Sequence, residues 1–236
     1  MVKQHLSRLA APRSWPVKRK GIKFISRPSP GPHSMNNSMP INLILRDLLK
    51  ITKTTNETKK ILHNKEVLVD KKIRKDPNFP VGIFDVIEMP KIKLSYRLVY
   101  AKTGKIMVKQ IDAKESNIKP CKIINKTILK KGKVQLNLDD GSNLLIDKDK
   151  YKVNDTVVIL LDKREIKEHL PFDKGALIYI KGGKKIAALA KLQSIKPGEG
   201  LQPDNIIFKI KDGEFETRKD YAMVVGKDKP VIALDE

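Results

Sequence analysis

From residue 90 onward the apolar residues of this chain come in runs too short for helices, and a turn closes each run. Tyr96-Arg97-Leu98-Val99-Tyr100 and Ile106-Met107-Val108 flank Lys102-Thr103-Gly104-Lys105, the pattern of a hairpin. Further turns fall at Asp139-Asp140-Gly141, Lys163-Arg164-Glu165, Gly182-Gly183 and Lys211-Asp212-Gly213. Between them lie short strands at 134–138, 144–146, 156–161, 176–180, 186–192, 206–210 and 222–225. No long helical pattern interrupts the series. The regular spacing predicts small barrels in place of one parallel sheet.

The first ninety residues differ. Residues 1–40 carry eight Lys/Arg and no acid, and the first carboxylate of the chain is Asp47. Six prolines, at 12, 16, 28, 30, 32 and 40, oppose both helix and central strand. The segment reads as an extended, mobile basic arm; a merely solubilising tail is the plainer alternative. Residues 41–52 then read as a helix, with Ile41, Ile44, Leu45, Leu48, Leu49 and Ile51 near helical spacing. A second helix spans about 56–63, and Thr54-Thr55-Asn56-Glu57 matches a capping box at its start. Glu66-Val67-Leu68-Val69, a turn at Asp70-Lys71-Lys72 and Ile73-Arg74 form a short hairpin.

Charge narrows the function. The chain has 49 Lys+Arg against 27 Asp+Glu, a formal net charge of +22. A compact body with that excess repels itself unless a polyanion lies beside it. High lysine from thermophily would raise glutamate as well, and here acids lag. Cations that neutralise phosphates release counterions, so affinity arises without any sequence being read. The expected RNA contacts in the arm are Lys3, His5, Arg8, Arg13, Trp15, Lys18, Arg19, Lys20, Lys23, Arg27 and His33. Trp15 is as suited to docking on protein as to stacking on a base. Within 41–90 they are Arg46, Lys50, Lys53, Lys59, Lys60, Lys65, Lys71, Lys72, Arg74 and Lys75, and beside the 182–183 turn Lys181, Lys184 and Lys185. Any one of these lysines alone is ordinarily a solvated surface charge; their clustering carries the expectation.

Catalysis is not expected. His5, His33, His63 and His169 are scattered, and a single cysteine, Cys121, offers neither an internal disulfide nor paired zinc ligands. One cysteine fits a reducing compartment. Gly182-Gly183-Lys184-Lys185 lacks phosphate-loop spacing, and Asp139-Asp140 before Gly141 reads as a turn. No cofactor or metal is expected. The apolar runs are too short to span a bilayer, and 1–27 lacks a signal-peptide core.

His5-Leu6-Ser7-Arg8-Leu9-Ala10-Ala11-Pro12-Arg13-Ser14-Trp15 and Arg27-Pro28-Ser29-Pro30-Gly31-Pro32-His33 resemble the e-type small-subunit ribosomal protein four family of archaea and eukaryotes. Leu45-Arg46, Asp85-Val86-Ile87, Tyr96-Arg97-Leu98, Lys152-Val153-Asn154-Asp155-Thr156 and Gly226-Lys227 continue the resemblance collinearly, and the length is more like archaeal members. The resemblance implies an α+β, mainly β fold in four parts. These are a basic arm (1–40), an alpha-L RNA-binding module (41–90), a central β-domain (91–170) and a C-terminal KOW, SH3-like barrel (171–236). It implies a cytoplasmic ribosomal protein that partners small-subunit ribosomal RNA and neighbouring ribosomal proteins, without membrane or self-association.

Phe172-Asp173-Lys174-Gly175 and Ile180-Lys181-Gly182-Gly183 resemble the opening of a KOW barrel, but Ala187 and Ala190 stand where that pattern favours glycine. The alpha-L hairpin turn likewise lacks its usual glycine, so it is expected to be wider or held by bound RNA. The rival readings are an alpha-L-containing RNA-modifying enzyme, a KOW-type transcription factor and a chromatin-like DNA binder. The first needs a large catalytic domain, for which the short strands leave no room. The second needs a polymerase-binding domain, and the third a recognition helix.

Overall fold

A computed structural model describes residues 5–147, 149–200, 202–210 and 213–234. Lys3, and Lys211-Asp212 of the expected fourth turn, lie outside these residues. The chain divides into two compact units, 1–101 with 105–117, and 118–236 with 102–104. No helix among the described residues is long and apolar enough to cross a membrane.

In the first unit, β1 (Leu6–Ser7) pairs antiparallel with β2 (Phe24–Ile25), and β3 (Ser38–Pro40) pairs with β6 (Pro80–Gly82). The remaining strands form an antiparallel sheet in the order β5 (Lys72–Ile73), β4 (Leu68–Val69), β7 (Val86–Met89), β8 (Leu94–Tyr100), β9 (Ile106–Ile111). The expected boundary at residue 90 therefore falls inside a sheet, between the paired strands β7 and β8.

The first helix begins as α1 (Ile41–Leu43) and continues as a π-helical turn, Ile44–Leu48. Ile41, Leu43, Ile44 and Leu45 are fully buried. The π turn lengthens the repeat: Leu49 N donates to Ile44 O at 2.9 Å and Ile51 N to Leu45 O at 3.0 Å. Ile51, expected on the apolar stripe, is turned outward in consequence. Helix α2 (Thr55–His63) buries Thr58 and Leu62 and leaves Lys59 and Lys60 in solvent.

The second unit holds two five-stranded antiparallel sheets. The first runs β12 (Asn143–Ile146), β11 (Val134–Leu138), β10 (Ile118–Ile128), β13 (Thr156–Leu160), β14 (Glu165–Leu170). The second runs β18 (Gly213–Arg218), β17 (Asn205–Ile210), β16 (Leu189–Lys196), β15 (Leu177–Ile180), β19 (Ala222–Gly226). Strand β10 serves two partners, giving Ile118–Lys122 to β13 and Ile123–Ile128 to β11, with a register shift at Ile123/Asn125. Period-two alternation sends Val157 into a core with Cys121, Ile123, Leu136 and Leu138. Val158 goes to a core with Leu170, Phe172, Ile178, Ile206 and Val224. The strand expected at 186–192 starts instead at Leu189, because Ala187 adopts φ 66° and breaks the extended run.

One lysine is part of this interior. Lys122 is 7% exposed, and its Nζ donates to the carbonyls of Lys219 (3.2 Å), Asp220 (3.2 Å) and Ala222 (2.9 Å). Three acceptors match the three N–H groups of an ammonium. Burial, then the neighbouring charge of Lys181, pushes its pKa from 10.5 down to about 8.

Candidate nucleic-acid interface

Helix α2 is fixed at both ends by local chemistry. The capping box forms: Glu57 N donates to Thr54 Oγ1 at 3.2 Å, and Glu57 Oε2 accepts from Lys53 N at 2.8 Å. The backbone bond from Lys53 holds the exposed Glu57 carboxyl below its usual pKa range. At the other end Lys65 N donates to Leu62 O (3.0 Å) and Glu66 N to Ile61 O (3.3 Å). This is a Schellman ending, and its left-handed residue, ordinarily glycine, is Lys65 at φ 60°. Lys50, just past the π turn, is left-handed too, at φ 54°.

The hairpin turn is not wider than two residues. Asp70 (φ 50°) and Lys71 (φ 63°) form it as a tight left-handed pair without glycine. Protein contacts hold it. Asp70 N donates to Val86 O, Asp70 Oδ1 accepts from Val86 N, both at 2.9 Å, and Lys71 Nζ pairs with Glu88 at 2.8 Å. The expected need for RNA to hold the turn is removed.

Residues 1–93 hold twenty Lys/Arg and seven Asp/Glu. Each of the seven carboxylates is committed locally. Asp47 pairs with Arg46, Glu66 with Lys91, Glu88 with Lys71 and Asp85 with His33. Glu57, Asp70 and Asp76 accept backbone N–H bonds. Among the described residues, exposed Lys50, Lys59, Lys60, Lys65 and Lys75 have no such anion, and neither do Arg13, Lys18, Lys20 and Lys23; exposed Lys53 has only the charge of Glu57 near it. Three other expected contacts are spent inside the fold. Arg46 chelates Asp47 and donates to Thr55 Oγ1, Lys71 pairs with Glu88, and Arg74 stacks 4.1 Å over Phe79. Lys72 is exposed at the hairpin end and Arg27 is half-buried.

The arm is folded onto the first unit, not extended from it. Trp15 is 1% exposed, and its Nε1 donates to Ser38 O at 2.7 Å. Arg19 reaches the carbonyls of Arg8, Leu9, Ala11 and Pro12, and Arg8 Nη1 donates to Lys18 O. His33 Nε2 meets Asp85 Oδ2 at 2.9 Å with both side chains buried. The Trp15 and His33 side chains are therefore taken up by protein contacts, and Arg8 and Arg19 pin the loop between β1 and β2. His5 is exposed, edge-on to Phe24 at 5.2 Å. Sequence reasoning passed over Leu9 and Ile22, which are 77% and 74% exposed on the same loop.

In the second unit Lys184 is exposed, Lys185 sits 4.1 Å over Phe215, and Lys181 pairs with Asp139. Gly182 is required because a Cβ there would meet the Tyr221 ring at 2.9 Å. Asp139-Asp140 is a turn as expected: Asp140 Oδ1 accepts from Ser142 N at 2.9 Å. Asp155, which accepts from His169, Lys152 N and Phe172 N, is a structural corner.

Residues 92–166 match the model of Ribosomal family S4e, and 2–36 that of the RS4NT (NUC023) domain. The small ribosomal subunit protein eS4 of Methanocella arvoryzae is 41% identical over 98% of both chains. That of Methanocaldococcus jannaschii is 43% identical over the same shares. The crystal structure of the 30S ribosomal protein S4e of Thermoplasma acidophilum superposes with a TM-score of 0.70 at 28% identity, covering 81% of this chain and 96% of that one. A mainly β chain this similar to those proteins from end to end belongs to the S4e family of ribosomal proteins.

Proposed function

We propose that this protein is a structural constituent of the small ribosomal subunit, sits on its ribosomal RNA in the cytoplasm to support translation, and is not an enzyme. The family assignment supports this, and with it the RNA-modifying-enzyme, transcription-factor and chromatin readings fall away. The observation that carries the RNA reading is the charge arrangement of the first unit. All seven carboxylates of residues 1–93 are engaged locally, while nine exposed Lys/Arg have no ion-pair partner among the described residues. Such a surface binds phosphates and 2′-hydroxyls by shape, without a base-reading element.

The helix–helix–hairpin over 41–90 supports an alpha-L module, with β8 and β9 continuing its sheet. The five strands β15–β19 support a KOW-type barrel over 171–236, joined to a central β-domain and preceded by the folded arm. The partners we infer are small-subunit ribosomal RNA and adjacent ribosomal proteins, with no membrane and no second copy of this chain.

The test is a salt titration of binding to small-subunit ribosomal RNA, with cosedimentation of protein and subunit. Counterion release makes log K fall with log salt by roughly 0.7–0.9 per neutralised phosphate. Reversing Lys53, Lys59, Lys60 and Lys65 to Glu should weaken binding and flatten that slope while melting stays nearly fixed. A wild-type slope near zero would sink the RNA reading.

A further inference from the structure

We propose that the tip of the hairpin joining β10 to β11 is a separate contact for ribosomal RNA, in which Lys130 and Lys133 meet phosphates while Ile128 and Leu129 pack on a sugar or base face. The proposal rests on the ribosomal-RNA reading above but places a site on the β10–β11 hairpin of the second unit, where the sequence pointed only to Lys181, Lys184 and Lys185.

Residues 116–138 contain six lysines and no carboxylate. Three of the six are engaged by the fold. Lys119 pairs with Asp140 at 3.2 Å, Lys122 is cradled by three carbonyls, and Lys126 pairs with Asp149 at 2.6 Å. Lys130 and Lys133 are exposed and make no ion pair among the described residues. They flank Gly132, left-handed at φ 73°, where an added Cβ would meet nothing within 4 Å. The turn is closed by Leu129 N donating to Lys133 O at 2.8 Å.

Apolar side chains stand beside these cations. Ile128 lies opposite Val134, which lies opposite Ile146, so the three share the face that packs the core. Val134 is 7% exposed, yet Ile128, at the end of the same row, is 80% exposed. Leu129 is 37% exposed. On the other face, Asn125, Asn137 and Asn143 align, as do Thr127 and Gln135, giving neutral donors and acceptors and no charge.

Asp147, one residue beyond Ile146, is the single exposed carboxylate beside the tip without an ion pair among the described residues, and the two lysines outweigh it. A protein partner for the bare isoleucine would have to be acidic. A ribose-phosphate chain answers both features, with anionic oxygens for the lysines and an apolar sugar or base face for the side chains.

Full-length wild type, Lys130→Glu/Lys133→Glu, Ile128→Ser/Leu129→Ser and Lys59→Glu/Lys60→Glu are titrated with small-subunit ribosomal RNA across salt. Melting is followed for each. The lysine variant at the tip should bind roughly tenfold more weakly and lose about 1.4–1.8 from the salt slope, two phosphates' worth. The apolar variant should bind more weakly with its slope intact. If melting of either variant drops, the isosteric Lys130→Gln/Lys133→Gln variant decides, with the same loss of slope expected. Wild-type affinity and slope in a tip variant that melts normally would overturn the proposal, and would assign the tip to a protein neighbour. Failure of the RNA reading itself looks different: wild type would bind without salt dependence, and Lys59→Glu/Lys60→Glu would change nothing.

Discussion

Replacing Lys65 with glycine should make the protein more stable and a weaker binder of RNA. Lys65 closes the Schellman ending of α2 at φ 60°, where the Cβ of a non-glycine residue costs about 1–2 kcal/mol. Glycine removes that strain but gives the unfolded chain more freedom, an offset of roughly 0.4–1 kcal/mol. The net gain is about 0.5–1 kcal/mol, or a rise in melting temperature of about 1–4 °C for a chain of this size. No hydrogen bond is lost, because both bonds of the ending come from backbone N–H groups. The exposed ammonium goes, however, and with it the phosphate contact proposed for it, so the salt slope should fall by roughly 0.7–0.9. Denaturant midpoints and a filter-binding titration on the same preparation read both changes. The reasoning is that strain survives at a position where it serves something else. A variant no more stable than wild type would refute the strain, and one that binds RNA with unchanged slope would refute the purpose.

Ala187→Gly should likewise stabilise the second unit, by about 0.5–1 kcal/mol, since Ala187 is left-handed at φ 66°; chemical denaturation measures it. Trp15→Ala should cost about 3–5 kcal/mol in the same assay, as a fully buried tryptophan is removed. Because Trp15 is the sole tryptophan and is buried, its emission should stay unquenched when RNA is added; strong quenching would mean that it stacks on a base. Lys122 sets a pH dependence, measured as denaturant midpoints from pH 7.5 to 9.5. The folded chain releases this proton near pH 8 and the unfolded chain near 10.5, so in between the unfolded state binds more protons. This group's contribution, on the order of 3 kcal/mol in full, is therefore complete above the unfolded value and lost as pH falls through about 8; Lys122→Met should remove that slope.

What the sequence disclosed was the local part of the fold. The capping box at Thr54, the strand Val134–Leu138 and the turn at Asp139-Asp140-Gly141 depend on residues within a few positions of each other, and each formed where expected. What it concealed was long-range. The proline density of residues 1–40 reads as mobility, yet Trp15 finds the carbonyl of Ser38 and His33 finds Asp85, 52 residues away. Strands β14 and β18 escaped notice because they are edge strands rich in charge, with Ile166 and Phe215 as their inward anchors. The strand Ile118–Ile128 was hidden by Pro120 and by lysines at 119 and 122, whose charges are answered by Asp140 and by three backbone carbonyls.

The candidate interface followed the same division, and the reason is chemical. Composition reports how many cations a chain has, and binding depends on how many the fold leaves unanswered. Arg46, Lys71 and Arg74 looked equivalent to Lys59, Lys60 and Lys65 in the sequence. A carboxylate at 47, another at 88 and a ring at 79 withdrew the first three, and only the pairing of β4, β5 and β7 makes the second of those visible. Lysines 50 and 65 went the other way. Nothing in the pattern marks them as left-handed, yet they hold positions where glycine is cheaper, at helix ends where the backbone fixes the direction in which the side chain leaves. A cation attached to a fixed backbone loses less freedom on meeting a phosphate than one on a fraying end. That gain in binding is the physical reason a chain that must sit on RNA would keep lysine there at the expense of its own stability.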